Sequence, residues 1–177
     1  MWVSRTPHLV LVGMAGVGKS TLGRKAADKL GMQCIDLDHY IAETEGRTIP
    51  EIFSTDGEIG FRAIEYERLA EVLATPTPTV VATGGGVVVA AVNRVLIKDQ
   101  FCVWLDAPLA VLVKRLTHSR SPRPLLSGDV AATTRKLLAE RRGWYQEVAT
   151  VRLEAGHLSV TQMAQQIVEE YQCRLSK

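Results

Sequence analysis

Leu9-Val10-Leu11-Val12-Gly13-Met14-Ala15-Gly16-Val17-Gly18-Lys19-Ser20 is the stretch on which the reading of the fold turns. Its first four residues are a short, wholly apolar run, the pattern of a strand buried on both faces of a parallel sheet. The run halts at Gly13, and the next eight positions fit the spacing GxxxxGK[ST]. From Ser20 a helical period begins, with Leu22, Ala26 and Leu30 on one side and Gly31 as the stop. Strand, glycine loop and helix together form the context in which this spacing cradles phosphate. Glycines let backbone amides wrap an anion closely, and the helix N-terminus adds positive potential. The segment Met14-Ala15-Gly16-Val17-Gly18-Lys19-Ser20-Thr21 is therefore expected to hold a nucleotide, with Lys19 on the β- and γ-phosphates and Ser20 ligating Mg2+. A glycine-rich turn with a chance Lys-Ser is the competing reading, and it leaves the flanking strand and helix unexplained.

Working outward, strand and helix patterns alternate to the end of the chain. Cys34 to Asp38 predicts a second strand, and His39 to Thr44 a short helix. Ile49 to Ser54 and Glu58 to Leu73 predict two more helices, with Pro50 in the first turn of the former. Thr79 to Ala82 and Phe101 to Leu105 are further strand candidates, and Val151 to Leu153 a fifth at an edge. Helices are expected over Ala90 to Lys98, Pro108 to Thr117, Asp129 to Val148 and Val160 to Tyr171. This alternation predicts an α/β fold: a five-stranded parallel sheet between two helical layers. Ligands of such sheets bind at the carboxyl ends of the strands, where Gly13, Asp36, Asp38 and Gly84 fall.

The bulk numbers narrow the classes. A chain of 177 residues fits one domain spanning 1–177. A net charge of +2, from 21 basic and 19 acidic residues, offers no global attraction to nucleic acid or membrane. The three cysteines, Cys34, Cys102 and Cys173, are scattered and suit reduced thiols rather than a disulfide frame or zinc site. No leader peptide or membrane span is visible, so a cytoplasmic monomer is expected.

Several polar residues stand out against this frame. Asp36-Leu37-Asp38 offers two carboxylates at a strand end, one suited to a magnesium-bound water and one to a substrate hydroxyl. Asp38 also suits the N-cap of the helix beginning at His39. Gly84-Gly85-Gly86 supplies more glycine than a turn needs, which points to close approach of a ligand, with a flexible connection as the alternative. Arg62 suits an anion, or an i,i+3 pair with Glu65 on a helix surface. Arg141 lies on the apolar stripe Val130, Thr134, Leu137, Arg141, Trp144, Val148. An inward arginine requires a partner, either an anionic ligand or a buried acid. The polar segment 118–128, with Arg120 and Arg123, reads as a lid.

Taken in order, the phosphate loop, Asp36-x-Asp38, Phe61-Arg62-x-x-Glu65, Gly84-Gly85-Gly86 and Arg123-Pro124-Leu125-Leu126 resemble the shikimate kinases, over about Leu9 to Ala149. Gly46-Arg47-Thr48-Ile49 and Asp56-Gly57-Glu58 are similar too. The resemblance implies a P-loop kinase of the nucleoside-monophosphate-kinase type, with the substrate region at about 38–74. Its partners would be ATP with Mg2+, and shikimate, phosphorylated on the 3-hydroxyl. Arg62 and Arg141 would grip the substrate carboxylate, while Asp38 and the Gly84, Gly85 and Gly86 backbone would meet the ring. Lys19, Asp38 and Arg123 would be catalytic, Arg115 would lie near the adenine, and Asp36 would reach Mg2+ through water. Two departures touch the periphery: Glu154 to Leu158 lacks an arginine that many relatives carry, and Gly143 replaces a frequent proline.

Other classes fit less well. A gluconate kinase would share the phosphate loop but would not be expected to combine Asp36, Asp38, Arg62, Gly84 to Gly86 and Arg141. A silent nucleotide-binding module would be expected to lose Lys19, Asp38 or an arginine. A P-loop GTPase would need an Asn-Lys-x-Asp motif, which the chain lacks.

Overall fold

The computed structural model describes residues 6–118 and 129–176. The apolar runs do become strands: β1 (Leu9–Val12), β2 (Gln33–Asp36), β3 (Thr79–Ala82), β4 (Phe101–Asp106) and β5 (Val151–Glu154). All pair in parallel, in the order β2-β3-β1-β4-β5. The three central strands are wholly buried, as continuous apolar runs covered on both faces must be. At the edge, β5 alternates half-buried and exposed residues.

The helices are α1 (Lys19–Leu30), α2 (Leu37–Glu45), α3 (Ile49–Ala74), α4 (Ala91–Lys98), α5 (Leu109–Thr117), α6 (Val130–Val148) and α7 (Val160–Leu175). α1 packs with α7, while α4 packs with α3 and α6, which gives the two helical layers. Among the described residues, no helix is long and apolar enough to cross a membrane.

One boundary beside the ligand end of the sheet changes the reading of the site. β2 stops at Asp36, whose Oδ1 accepts from the His39 amide at 3.4 Å and so caps α2. The cap is thus Asp36 rather than Asp38. The two carboxylates do not share the side of one strand, because Asp38 already sits in the first helical turn. The two helices expected on either side of Gly57 are both present, and within α3 they meet at a kink on that residue, whose backbone angles are φ 70 and ψ −176. That conformation is accessible essentially only to glycine.

Most of the segment 118–128 read as a lid, Arg120 and Arg123 included, lies outside the described residues.

The anchoring of α7 sets a clear expectation for stability. Ser159 accepts from the Gln162 amide, and the Gln162 side chain accepts in turn from the Ser159 amide, a reciprocal capping box. Ser159→Ala should cost about 1 kcal/mol and lower Tm by about 2–4 °C in calorimetry. An unchanged Tm would show that this cap contributes nothing to holding α7 on α1.

Candidate functional site

One cavity of about 690 Å³ opens at the carboxyl ends of β1, β2 and β3. Its nucleotide side is the loop between β1 and α1. Met14, Ala15, Gly16, Gly18, Lys19, Ser20 and Thr21 all line it. Val17 is the exception. Its side chain is buried, its amide donates to the Met14 carbonyl at 3.2 Å, and its own carbonyl faces Arg115. The Lys19 ammonium is tied to the Gly13 and Met14 carbonyls at 2.7 and 3.0 Å, so the loop is braced around its own cation. Arg115 donates to the Val17 carbonyl at 3.0 Å, which brings it to the outside of this loop rather than into the cavity.

The opposite side carries the charged residues that were singled out in the sequence. Asp36, Asp38, Arg62 and Arg141 all line the same cavity, with Gly84, Gly85 and Gly86 between them. Arg141, on the inner face of α6, is buried and donates from Nη1 to the Gly85 carbonyl at 3.1 Å. Its inward phase on the apolar stripe is thus real, and among the described residues its hydrogen-bond partner is a carbonyl, with the Glu65 carboxylate acting on it from further off.

Arg62 does pair with Glu65, at 2.9 Å, but not on a helix surface. Glu65 is 1% exposed, and a second carboxylate, Glu58, holds the other guanidinium nitrogen at 3.1 Å. Burial pushes the Glu65 carboxyl up to about 7 against the pull of Arg62. The Asn93 amide donates to Glu65 at 3.3 Å and to the Val87 carbonyl at 3.0 Å, which ties α4 to this charged floor. Asn93 passed unnoticed in the sequence because a single asparagine in a helix carries no spacing signal.

The glycine run is explained by its neighbours. A Cβ on Gly84 would lie 2.6 Å from Asp38 Oδ1, and one on Gly85 would lie 2.9 Å from the Ala15 amide nitrogen. A Cβ on Gly86 would collide with the Arg62 guanidinium. The close approach anticipated for a ligand is in the first place an approach by the protein's own groups. An apolar wall completes the cavity: Ile49, Pro50, Phe53 and Phe61, with the two rings 4.6 Å apart between centroids. A phosphate loop, a carboxylate able to accept a proton, two guanidinium groups and an apolar wall thus share one space. That combination suits a compact, hydroxylated organic anion facing a nucleotide.

Comparison with known proteins gives the same direction. The family model for shikimate kinase matches residues 15–172. The shikimate kinase of Gloeobacter violaceus is 46% identical over 151 residues, covering 85% of this chain and 84% of that protein. The shikimate kinase of Thermobifida fusca is 38% identical over 168 residues, covering 95% and 96%. Among solved structures, shikimate kinase from Acinetobacter baumannii in complex with shikimate superposes with a TM-score of 0.90 at 36% identity, over 97% of this chain and 96% of that one. A gluconokinase from Sinorhizobium meliloti, 20% identical with a TM-score of 0.64 over 97% and 94% of the two chains, shares the fold. With the family model matching residues 15–172 and relatives matching 85% and 95% of its length, the chain belongs to the shikimate kinase family.

Proposed function

We propose that the protein transfers the γ-phosphoryl group of ATP to the 3-hydroxyl of shikimate, giving ADP and shikimate 3-phosphate on the route to the aromatic amino acids. The observation that carries this reading is the single cavity shared by Lys19, Ser20, Asp38, Arg62 and Arg141.

Each residue's part follows from its chemistry. The loop amides and Lys19 hold the phosphates and stabilise charge on the transferring group. Arg62 and Arg141 take the substrate carboxylate, for which the planar guanidinium fork is suited. With the carboxylate fixed, the ring packs on Phe53 and Phe61, and one hydroxyl is directed at Asp38. Asp38 orients that hydroxyl and accepts its proton as the oxygen–phosphorus bond forms and the bond to ADP breaks. Positioning and electrostatics do most of the work. Arg123, beyond the described residues, is the further cation proposed for the transferring group, and Arg115 is proposed for the nucleotide side.

Among the described residues no group of three metal-binding side chains is present. The Ser20 hydroxyl and the Asp36 carboxylate are hard oxygen donors that line the same cavity. A sparse oxygen set suits Mg2+, which keeps several waters and takes other ligands from phosphates. Ser20, and Asp36 through water, would hold it, and it would supply charge neutralisation for the nucleotide's phosphates.

A coupled ADP-release assay with ATP, Mg2+ and a panel of hydroxy acids is expected to show turnover with shikimate. Turnover with gluconate alone, or with no acceptor, would refute the reading. Arg141→Ala should raise the KM for shikimate by about 10²-fold, the cost of losing a charge-assisted contact of about 3 kcal/mol, and leave ATP affinity nearly intact. Equal losses for both would assign Arg141 to structure.

The pH dependence has a definite sign. Glu65 faces Arg62, Arg141 and Asp38, with Glu58 on the far side of Arg62. A bound carboxylate adds negative charge and raises the Glu65 carboxyl above its value of about 7. Binding therefore takes up a proton, and shikimate affinity falls as the pH rises through about 7. Titration calorimetry should show severalfold weaker binding at alkaline than at mildly acidic pH, and Glu65→Gln should flatten the curve. Affinity that rises with pH would contradict this account.

A further inference from the structure

Tyr145 lies four residues after Arg141 on α6, one turn further along the same face, and its side chain is fully buried. Both side chains end on one atom. Arg141 donates from Nη1 to the Gly85 carbonyl oxygen at 3.1 Å, and the Tyr145 hydroxyl donates its only proton to that same oxygen. A carbonyl oxygen offers two lone pairs, so the two donors together satisfy it. The phenol ring stacks on Trp104 of β4, with centroids 6.0 Å apart and planes at 22°. The hydroxyl oxygen also lies 3.7 Å from Met14 Sδ in the phosphate loop, and since its proton is committed to Gly85 that contact is one of packing. Burial pushes the phenol up from its ordinary value, so it remains a donor throughout the working pH range.

We propose that Tyr145 is a positioning residue for substrate capture: its hydroxyl fixes the Gly85–Gly86 peptide plane and, through the shared carbonyl, the direction of the Arg141 guanidinium. The inference rests on the shikimate reading above. Its physical basis is the freedom of the glycine strap. Three consecutive glycines carry no side chains to resist rotation of the peptide between them. All peptide bonds of the described chain are trans, so a Gly85 carbonyl turned toward α6 turns the Gly86 N–H the opposite way. With the hydroxyl in place, the guanidinium and the Gly86 N–H keep a fixed relation. Without it, Arg141 alone holds the carbonyl, and any rotation of the peptide moves both groups.

The test is Tyr145→Phe in the full chain, which keeps the ring, its stacking on Trp104 and the volume of the core. The expected result is an increase of about 5–20-fold in KM for shikimate, the equivalent of one lost hydrogen bond. The kcat and the KM for ATP should stay within about twofold, and Tm should move by no more than a few degrees. Arg141→Lys, made in both backgrounds, should be non-additive with Tyr145→Phe, because the two groups share an acceptor. A wild-type KM for shikimate in Tyr145→Phe overturns the proposal. So do equal losses for ATP and shikimate together with a fall in Tm, failure of the variant to fold, or full additivity in the cycle, each of which assigns the hydroxyl to structure alone. If the wild-type protein itself fails to turn over shikimate, the reading of function is refuted. Wild-type turnover with an unaffected Tyr145→Phe refutes only this inference.

Discussion

The backbone at Gly85 runs so close to the phosphate loop that a methyl group on it would sit 2.9 Å from the Ala15 amide nitrogen. The spacing between the two halves of the cavity rests on this contact. One strand away, β1 delivers the phosphate loop, and β3 delivers the glycine strap, in register with it. Because the strands are parallel, both loops leave from the same edge of the sheet. The absence of side chains at 84–86 then lets Asp38, the loop backbone and Arg62 each press against a different residue of the strap. A phosphate donor and an acceptor are thereby held at a separation set by backbone contact.

The charged floor of the cavity illustrates how an enzyme interior tolerates cations. Arg62 and Arg141 are both largely buried, and a guanidinium, which keeps its charge, is costly to bury without partners. Their solutions differ. Arg62 is held between two carboxylates, one of them nearly inaccessible to water, while Arg141 leans on a backbone carbonyl. Carbonyl solvation leaves Arg141 without a directly paired carboxylate among the described residues, its charge offset only by Glu65 beyond ion-pair distance, whereas carboxylate pairing fixes the Arg62 fork but opposes its field. The two arginines are thus unequal in electrostatic pull, even though they line one pocket.

Much of this arrangement is legible in the sequence, for reasons that can be named. The phosphate loop is local and its spacing is rigid, so twelve consecutive residues reveal both a strand and a binding site. Arg141 is legible because helical phase places it on an apolar stripe. Tyr145 escapes the same phase argument when Trp144 is taken as the inward aromatic. The structure buries Tyr145 fully and Trp144 only in part, and the i,i+4 spacing from Arg141 is the local signal by which it could be found. The Asp36–Asp38 segment is misread because a capping aspartate and the last residue of a strand share the same extended backbone, so nothing local marks the change. The glycine run reveals crowding but not its source. Which groups crowd it depends on α2 and α3, whose positions are set by long-range packing.

The break at Gly57 bears on the breadth of the pocket. Ile49, Pro50 and Phe53 precede it, while Phe61, Arg62 and Glu65 follow, so the two helical arms of α3 contribute two faces that meet at an angle. That angle is written in a single pair of torsions, and the residue that holds them is absent from the cavity lining. A side chain at this position would disfavour those torsions and so work against the bend. The angle at which Phe53 and Phe61 meet is therefore set at a distance, by a corner of the backbone acting as a carpenter's square.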